Sequence, residues 1–284
     1  MPASVLDGKR DKLLQILRDY GSVLVAFSAG VDSTVVAKAA ALACGDKAVA
    51  ATAFSPSLAS GELDQAQKLA ELIGIRHEIV ETDEFNNPAY LANPGNRCYF
   101  CKTELYGHLG PLAQKLGINA VVNGANIDDQ GDFRPGMTAA TENSVASPLI
   151  EAGITKADVR ELAKLWELPV WDKPATPCLS SRIAYGVEVT PGRVRMIDSA
   201  EQFLKQLLAE TELRVRLEPQ NLARIEVPVG TIAKLIDPGV SHSVVERFLE
   251  LGFANVTVDL QGFRSGSMNA VLGDVQLVEI VDFS

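Results

Sequence analysis

The apolar residues of the chain follow two alternating patterns. Residues 4–20 place Leu6, Leu13, Leu14, Ile16 and Leu17 on one face of a helix that ends at Tyr20-Gly21. Residues 23–27, Val-Leu-Val-Ala-Phe, form an unbroken apolar run, the mark of a parallel strand buried on both faces. An alanine-rich helix over 34–44 follows, then a second buried strand over 48–54 and a helix over 61–74 with Leu63, Ala66, Leu69, Ala70 and Ile73 on one side. Residues 76–80 and 120–123 read as further strands. Residues 103–116 and 155–166 read as helices, the second capped by Thr155 with Asp158 at the third helical position. Strands alternating with helices specify an α/β fold with a doubly wound parallel sheet.

From residue 187 the pattern changes. Thr190-Pro191-Gly192 opens a helix over 193–208, and strands over 213–217 and 222–227 are joined by Glu218-Pro219-Gln220-Asn221 as a hairpin. A helix over 229–236 or 241–251 precedes a last strand over 255–259. Antiparallel strands with helices predict a smaller α+β domain, so the expected division is residues 1–186 and 187–284.

The breaks between these elements carry the candidate chemistry. Ser28-Ala29-Gly30-Val31-Asp32-Ser33 joins the first strand to its helix, where free backbone N–H groups and the hydroxyls of Ser28 and Ser33 converge on an anion site suited to phosphate. Gly30 allows close backbone approach, and Asp32 is a candidate Mg²⁺ ligand. A turn that merely closes a strand–helix junction is the plain alternative. The segment matches neither the G-x-x-x-x-G-K loop nor the G-x-G-x-x-G fingerprint. Ligands of open α/β sheets sit at strand carboxyl ends, so Ala53, Phe54 and Ser55 are expected beside the adenine of a nucleotide. The loop Gly124-Ala-Asn126-Ile-Asp-Asp129-Gln-Gly-Asp132 lies at another such end, where its carboxylates suit Mg²⁺ and its amides a nucleotide; a solvated acidic turn fits it too. Arg214 and Arg216 share one strand face and read either as a carboxylate or phosphate receptor or as a solvated face paired with Glu226.

Four cysteines in a chain without a signal core argue against a disulfide framework. Cys98-x-x-Cys101 suits a structural zinc site, a thioredoxin-like dithiol, a reduced pair, or two ligands of a cluster completed by Cys178. Cys178 lies in an irregular stretch where packing does not call for cysteine, whereas Cys44 at a helix end reads as core. The chain is 284 residues with 47% hydrophobic content, ample for a packed core, and carries 36 acidic against 26 basic residues, a net charge of −10. That balance gives no global attraction to nucleic acid or membrane. The first twenty residues are amphipathic, and no apolar run approaches the ~20 residues of a membrane span. A cytoplasmic location is expected.

Residues 28–33 resemble the SGGxDS signature of the PP-loop ATP pyrophosphatases, with Ala29 at the first glycine. Together with Asn123-Gly-Ala-Asn-Ile-Asp-Asp129, Arg134-Pro-Gly136, Pro177-Cys-Leu-Ser-Ser-Arg182 and Leu222-Ala-Arg-Ile-Glu-Val227, the chain is similar over nearly its whole length to the LarE family, the ATP-dependent sulfur insertases of the nickel-pincer cofactor of lactate racemase. The resemblance implies a PP-loop, adenine nucleotide alpha hydrolase-like fold. It implies ATP and Mg²⁺ held by Ser28, Gly30, Val31, Asp32, Ser33, Phe54, Gly124, Asn126, Asp129 and Arg134. ATP would adenylylate the carboxylates of pyridinium-3,5-biscarboxylic acid mononucleotide, a small nucleotide substrate bound through Arg182, Arg214 and Arg216, and sulfur would then displace AMP. In members with one cysteine, that matching Cys178 gives up its sulfur and becomes dehydroalanine. The additional Cys98 and Cys101 imply instead a [4Fe–4S] cluster on Cys98, Cys101 and Cys178 that carries sulfide. A homo-oligomer, trimer or hexamer, is implied as well. A tRNA-thiolating PP-loop enzyme is the competing reading, weakened by the acidic charge; an amide-forming PP-loop enzyme would need neither Cys98 nor Cys101, and a nucleotide sensor would gain nothing from three thiols.

Overall fold

The computed structural model describes residues 3–131 and 135–264. In chain order its elements are α1 (Ala3–Tyr20), β1 (Val23–Ala26), α2 (Val31–Cys44), β2 (Ala48–Phe54), α3 (Glu62–Ile73), β3 (Arg76–Glu81), α4 (Pro88–Leu91), α5 (Arg97–Leu116), β4 (Ala120–Val122), α6 (Pro135–Glu142), α7 (Pro148–Glu151), α8 (Lys156–Leu165), α9 (Pro191–Leu208), β5 (Arg214–Glu218), β6 (Leu222–Glu226), α10 (Val229–Leu235), α11 (Pro238–Leu251) and β7 (Asn255–Val258). Two compact units result: one of residues 1–87 and 96–176, the other of residues 88–95 and 177–284.

The first unit is an α/β domain on a four-stranded sheet of order β3-β2-β1-β4, parallel throughout. Because successive side chains of a strand point to opposite faces, Val23 and Val25 pack with α1, α2 and α8 through Leu13, Leu17, Val35, Val159 and Leu162. Leu24 between them packs on the other face with Leu105 and Leu109 of α5 and Ala139 of α6. This double burial explains the unbroken apolar run. β1 lies between β2, its successor, and β4, reached much later, so the order reverses there and the carboxyl ends of β1 and β4 flank the crevice that binds ligands in such sheets.

The second unit has a three-stranded sheet of order β5-β6-β7. The expected hairpin is present, with Arg214 opposite Glu226 and Arg216 opposite Arg224. β7 departs from the expected antiparallel pattern and runs parallel to β6, because α10 and α11 form a crossover that returns the chain in the same direction. Both candidate helices exist, separated at Asp237, whose carboxylate caps α11 by accepting from Gly239 and Val240 N–H. The division between units precedes the expected residue 187. Ala184 N–H donates to the Leu217 carbonyl at 2.9 Å, and the buried Asn93 amide donates to the carbonyls of Ile183, Ala184 and Val187, which ties residues 88–95 and 183–187 to β5. Among the described residues no helix is long and apolar enough to cross a membrane.

Candidate functional site

α2 begins at Val31, three residues before its expected start, so Asp32 and Ser33 stand in its first turn. Gly30 is the N-cap at φ −78° and ψ 160°, and its carbonyl accepts from Ser33 Oγ at 3.1 Å and Thr34 Oγ1 at 2.8 Å. Ser28 N–H donates to Ser33 Oγ at 3.2 Å, and the two serine hydroxyls lie 3.1 Å apart. Ser28, Gly30, Val31, Asp32 and Ser33 therefore form one turn at the positive end of a helix. The left-handed residue of this turn is Ala29, at φ +57° and fully buried, not Gly30. At Gly30 an added Cβ would meet nothing closer than Ser28 Oγ at 3.5 Å, so its own backbone does not demand glycine.

The loop after β4 lies directly on this turn. A Cβ at Gly124 would stand 2.8 Å from Ser33 N and 3.0 Å from Asp32 C, a backbone approach that only glycine permits. Asn126, buried to 2%, donates from Nδ2 to Asp32 Oδ1 at 3.1 Å, while its own N–H donates to Asp129 Oδ2 and its Oδ1 accepts from Asp128 N–H, each at 3.0 Å. Gly124, Asn126 and Asp129 are thus brought together with Asp32. Lys156, a residue sequence reasoning missed, completes the group: its ammonium donates to Asp32 Oδ2 at 2.5 Å. Phe54 ends β2 with 44% exposure, and Ser55 beyond it is buried against Ser57 and Glu84. Arg134 lies outside the described residues. Carboxylate and hydroxyl oxygens make a hard donor set, which suits Mg²⁺ at Asp32.

The two cysteines of the pair sit in the first turns of α5, which begins at Arg97 rather than near residue 103. At i and i+3 they share a face, with Cys98 exposed and Cys101 half-buried. Tyr99 between them donates to Glu142 Oε2 of α6 at 2.6 Å and anchors this end of the helix. Cys178 is exposed and belongs to the second unit, at the start of a short 3-10 helix, Leu179–Arg182. None of the four cysteines is in a disulfide, and Cys44 Sγ donates to the Leu17 carbonyl, in keeping with a packing role. Exposed or half-buried thiols are soft donors whose chemistry suits iron. Among the described residues no three His, Cys, Asp or Glu side chains are grouped to hold a metal ion.

The second unit carries a buried cluster of charge. Arg182 is 3% exposed; its Nε donates to Glu201 Oε1 at 3.0 Å and its Nη1 to the carbonyls of Pro177 at 2.5 Å and Cys178 at 3.2 Å. Arg216 binds Glu226 Oε2 through Nε and Nη2 at 3.0 and 2.8 Å and donates from Nη1 to the Ser181 carbonyl at 3.1 Å. Two ion pairs thereby clamp the turn that bears Cys178. Glu201 also accepts from Val215 N–H at 3.1 Å and links α9, β5 and that turn, a role no sequence period signalled. Arg214, 7% exposed, stacks on Phe263 with its guanidinium carbon 5.1 Å from the ring centroid. Burial first, then the charges of Arg182 and Arg216, push its pKa down to about 10, against the opposing pull of Glu201 and Glu226. Arg214 and Arg216 are both buried, so their face is not solvated, although Arg216 does pair with Glu226 as that alternative has it, and Arg182 is a clamp on the cysteine turn.

No protein family model matches the chain. It is 48% identical over 268 residues, 94% of this chain and 99% of the relative, to an uncharacterised protein of Synechocystis. It is 37% identical over 276 residues, 96% of this chain and 98% of the relative, to a pyridinium-3,5-bisthiocarboxylic acid mononucleotide synthase of Lactiplantibacillus plantarum. A probable tRNA sulfurtransferase of Methanobrevibacter smithii is 25% identical over 159 residues, 52% of this chain and 42% of the relative.

Proposed function

Because the chain belongs to the LarE family of pyridinium-3,5-bisthiocarboxylic acid mononucleotide synthases, within the PP-loop superfamily, we propose that it transfers sulfur to pyridinium-3,5-biscarboxylic acid mononucleotide after activating the carboxylates with ATP. The observation that carries this reading is an exposed thiol, Cys178, on a turn held by two of three buried arginines.

Residues 28–33, with Phe54, Gly124, Asn126, Asp129 and Arg134, hold ATP, and Asp32 holds Mg²⁺. A substrate carboxylate oxygen attacks the α-phosphorus and pyrophosphate leaves. The acyl-adenylate then takes up a sulfur nucleophile at its carbonyl carbon and AMP departs, leaving a thiocarboxylate. Activation is needed because a carboxylate oxygen is a poor leaving group, and the positive turn stabilises the charge that develops on the departing phosphates. Arg214 binds the substrate's phosphate or second carboxylate, Arg216 adds its positive charge to that receptor while held by Glu226 and the Ser181 carbonyl, and Arg182 positions Cys178. Cys98, Cys101 and Cys178 are the residues that would hold a [4Fe–4S] cluster, and such a cluster would supply the sulfide that serves as the sulfur nucleophile. A second reading has Cys178 donate its own sulfur, supported by its exposed thiol in a unit separate from the pair. The product serves the nickel-pincer cofactor of lactate racemase, in the cytoplasm. Val229, Ile236, Val245 and Leu249, 43–66% exposed on the second unit, support self-association into a homo-oligomer. The net charge of −10 weighs against tRNA as substrate.

Anaerobic incubation with the mononucleotide, Mg·ATP and sulfide tests the reaction. AMP and pyrophosphate released in equal amounts with each thiocarboxylate seen by mass spectrometry is the expected result; thiocarboxylate without AMP, or AMP without thiocarboxylate, overturns it.

A further inference from the structure

Residues 88–95 stand apart in sequence from the rest of the second unit yet pack within it. An asparagine in a left-handed turn holds them there. Asn93 is fully buried at φ +52°, a conformation asparagine adopts more readily than most residues, and its amide spans the carbonyls of Ile183, Ala184 and Val187. Gly186 N–H donates in return to the Asn93 carbonyl at 3.1 Å, and Val189 N–H to the Leu91 carbonyl at 2.8 Å. On this fixed base, in the single turn of α4, Tyr90 is 1% exposed and places its hydroxyl 2.8 Å from Oγ of Ser180, itself fully buried.

Ser180 belongs to the 3-10 helix that Cys178 caps. A 3-10 turn of four residues is weak by itself, so ties from outside decide its geometry. The ties already described come from Arg182 and Arg216, through the carbonyls of Pro177, Cys178 and Ser181. In the reading above both belong to the cationic cluster that receives the anionic substrate, and a bound anion competes for such donors. The bond between Tyr90 and Ser180 is neutral and closed off from water, so an arriving charge leaves it in place. Packing alone calls for phenylalanine at position 90, because a buried hydroxyl without a partner is costly. The partner this hydroxyl has is the turn that carries the sulfur.

We propose that Tyr90 is a positioning residue for sulfur transfer, acting through Ser180 to keep the Cys178 turn in one geometry while the anionic substrate engages the arginines. The inference rests on the reading of Cys178 as the sulfur donor or as a ligand of the cluster that supplies sulfide.

Tyr90→Phe removes the hydroxyl and keeps the ring, and Ser180→Ala tests the same bond from its other side; thermal unfolding of each checks the fold. Hydroxylamine separates the two half-reactions, since it captures the activated carboxylate as a hydroxamate and frees AMP without any enzyme sulfur. Single-turnover thiocarboxylate formation from the mononucleotide, Mg·ATP and sulfide is expected to fall about tenfold or more in either variant. The half-saturating mononucleotide concentration and the AMP released to hydroxylamine are expected to match the wild type. The double variant is expected to lose no more than either single one, since all three lack one bond. A wild-type thiocarboxylate rate in either single variant overturns the inference alone, as do additive losses in the double variant or an equal loss of AMP release and thiocarboxylate. A wild-type chain that forms no thiocarboxylate overturns the sulfur-transfer reading and this inference with it.

Discussion

Arg214 and Arg216 are two residues apart on one strand, yet their surroundings give them different work. Arg216 is satisfied by Glu226 and the Ser181 carbonyl. Replacing it with alanine leaves buried Glu226 without two of its hydrogen bonds, and removing one partner of a buried pair costs about 3 kcal/mol. A lowered denaturation midpoint measures that loss. Arg214 instead carries a charge that burial and its arginine neighbours disfavour, so an arriving anion relieves a repulsion already present. Arg214→Ala is expected to weaken binding of the anionic substrate about tenfold or more while ATP affinity is kept; unchanged substrate affinity removes Arg214 from the site. The pH dependence follows from a pKa that burial pushes down to about 10. Well below that value the guanidinium is charged and substrate affinity is flat on its account. As pH rises through it the folded chain gives up the proton before the unfolded chain does, so this group's contribution to stability rises with pH there while substrate affinity falls.

Two helices begin earlier than their apolar periodicity shows, and both starts hold candidate site residues. α2 takes in Asp32 and Ser33, and α5 takes in Cys98 and Cys101, because polar first turns carry no hydrophobic signature. The main strand–helix alternation of the first unit was legible, since β1 and β2 are buried apolar runs and α1 and α3 carry apolar stripes, whereas the short helices α6 and α7 were not. What joins β1 to β4 was legible only as composition. Gly124 sits against the backbone of Asp32 and Ser33, so Gly124→Ala must push the β4 loop off the α2 start. Overpacking of this kind destabilises by about 1–3 kcal/mol, and here it also breaks the hydrogen bond from Asn126 to Asp32. Chemical denaturation and ATP titration should both register the change; a variant as stable as the wild type would show that the loop has room to yield.

For the molecule as a whole, the thiols are divided between compact units, Cys98 and Cys101 in one and Cys178 in the other. A cluster requiring all three fails when any one is removed, whereas a sacrificial Cys178 needs neither of the others. Anaerobically prepared wild type is expected to contain iron and acid-labile sulfide and Cys98→Ala to lose both. Iron-free protein that transfers sulfur once, with mass lost at Cys178, would establish the sacrificial route. Placing the unit division ahead of residue 177 assigns Cys178 and Arg182 to the arginine-bearing unit. No sequence period showed this, because residues 177–186 are irregular and their hydrogen bonds run to Asn93 and β5.

Periodicity and local chemistry were enough to specify a parallel α/β domain, a hairpin-bearing second domain, the candidate phosphate turn and the three candidate thiols. Apolar spacing and a Ser/Gly/Asp turn are encoded within a few consecutive residues, so a linear reading reaches them. Lys156 on Asp32, Glu201 beneath the cysteine turn and the burial of both arginines depend on segments brought together from 10 to 124 residues apart. Those pairings follow from strand order and packing, which place charges beside partners that nothing in the neighbouring sequence names.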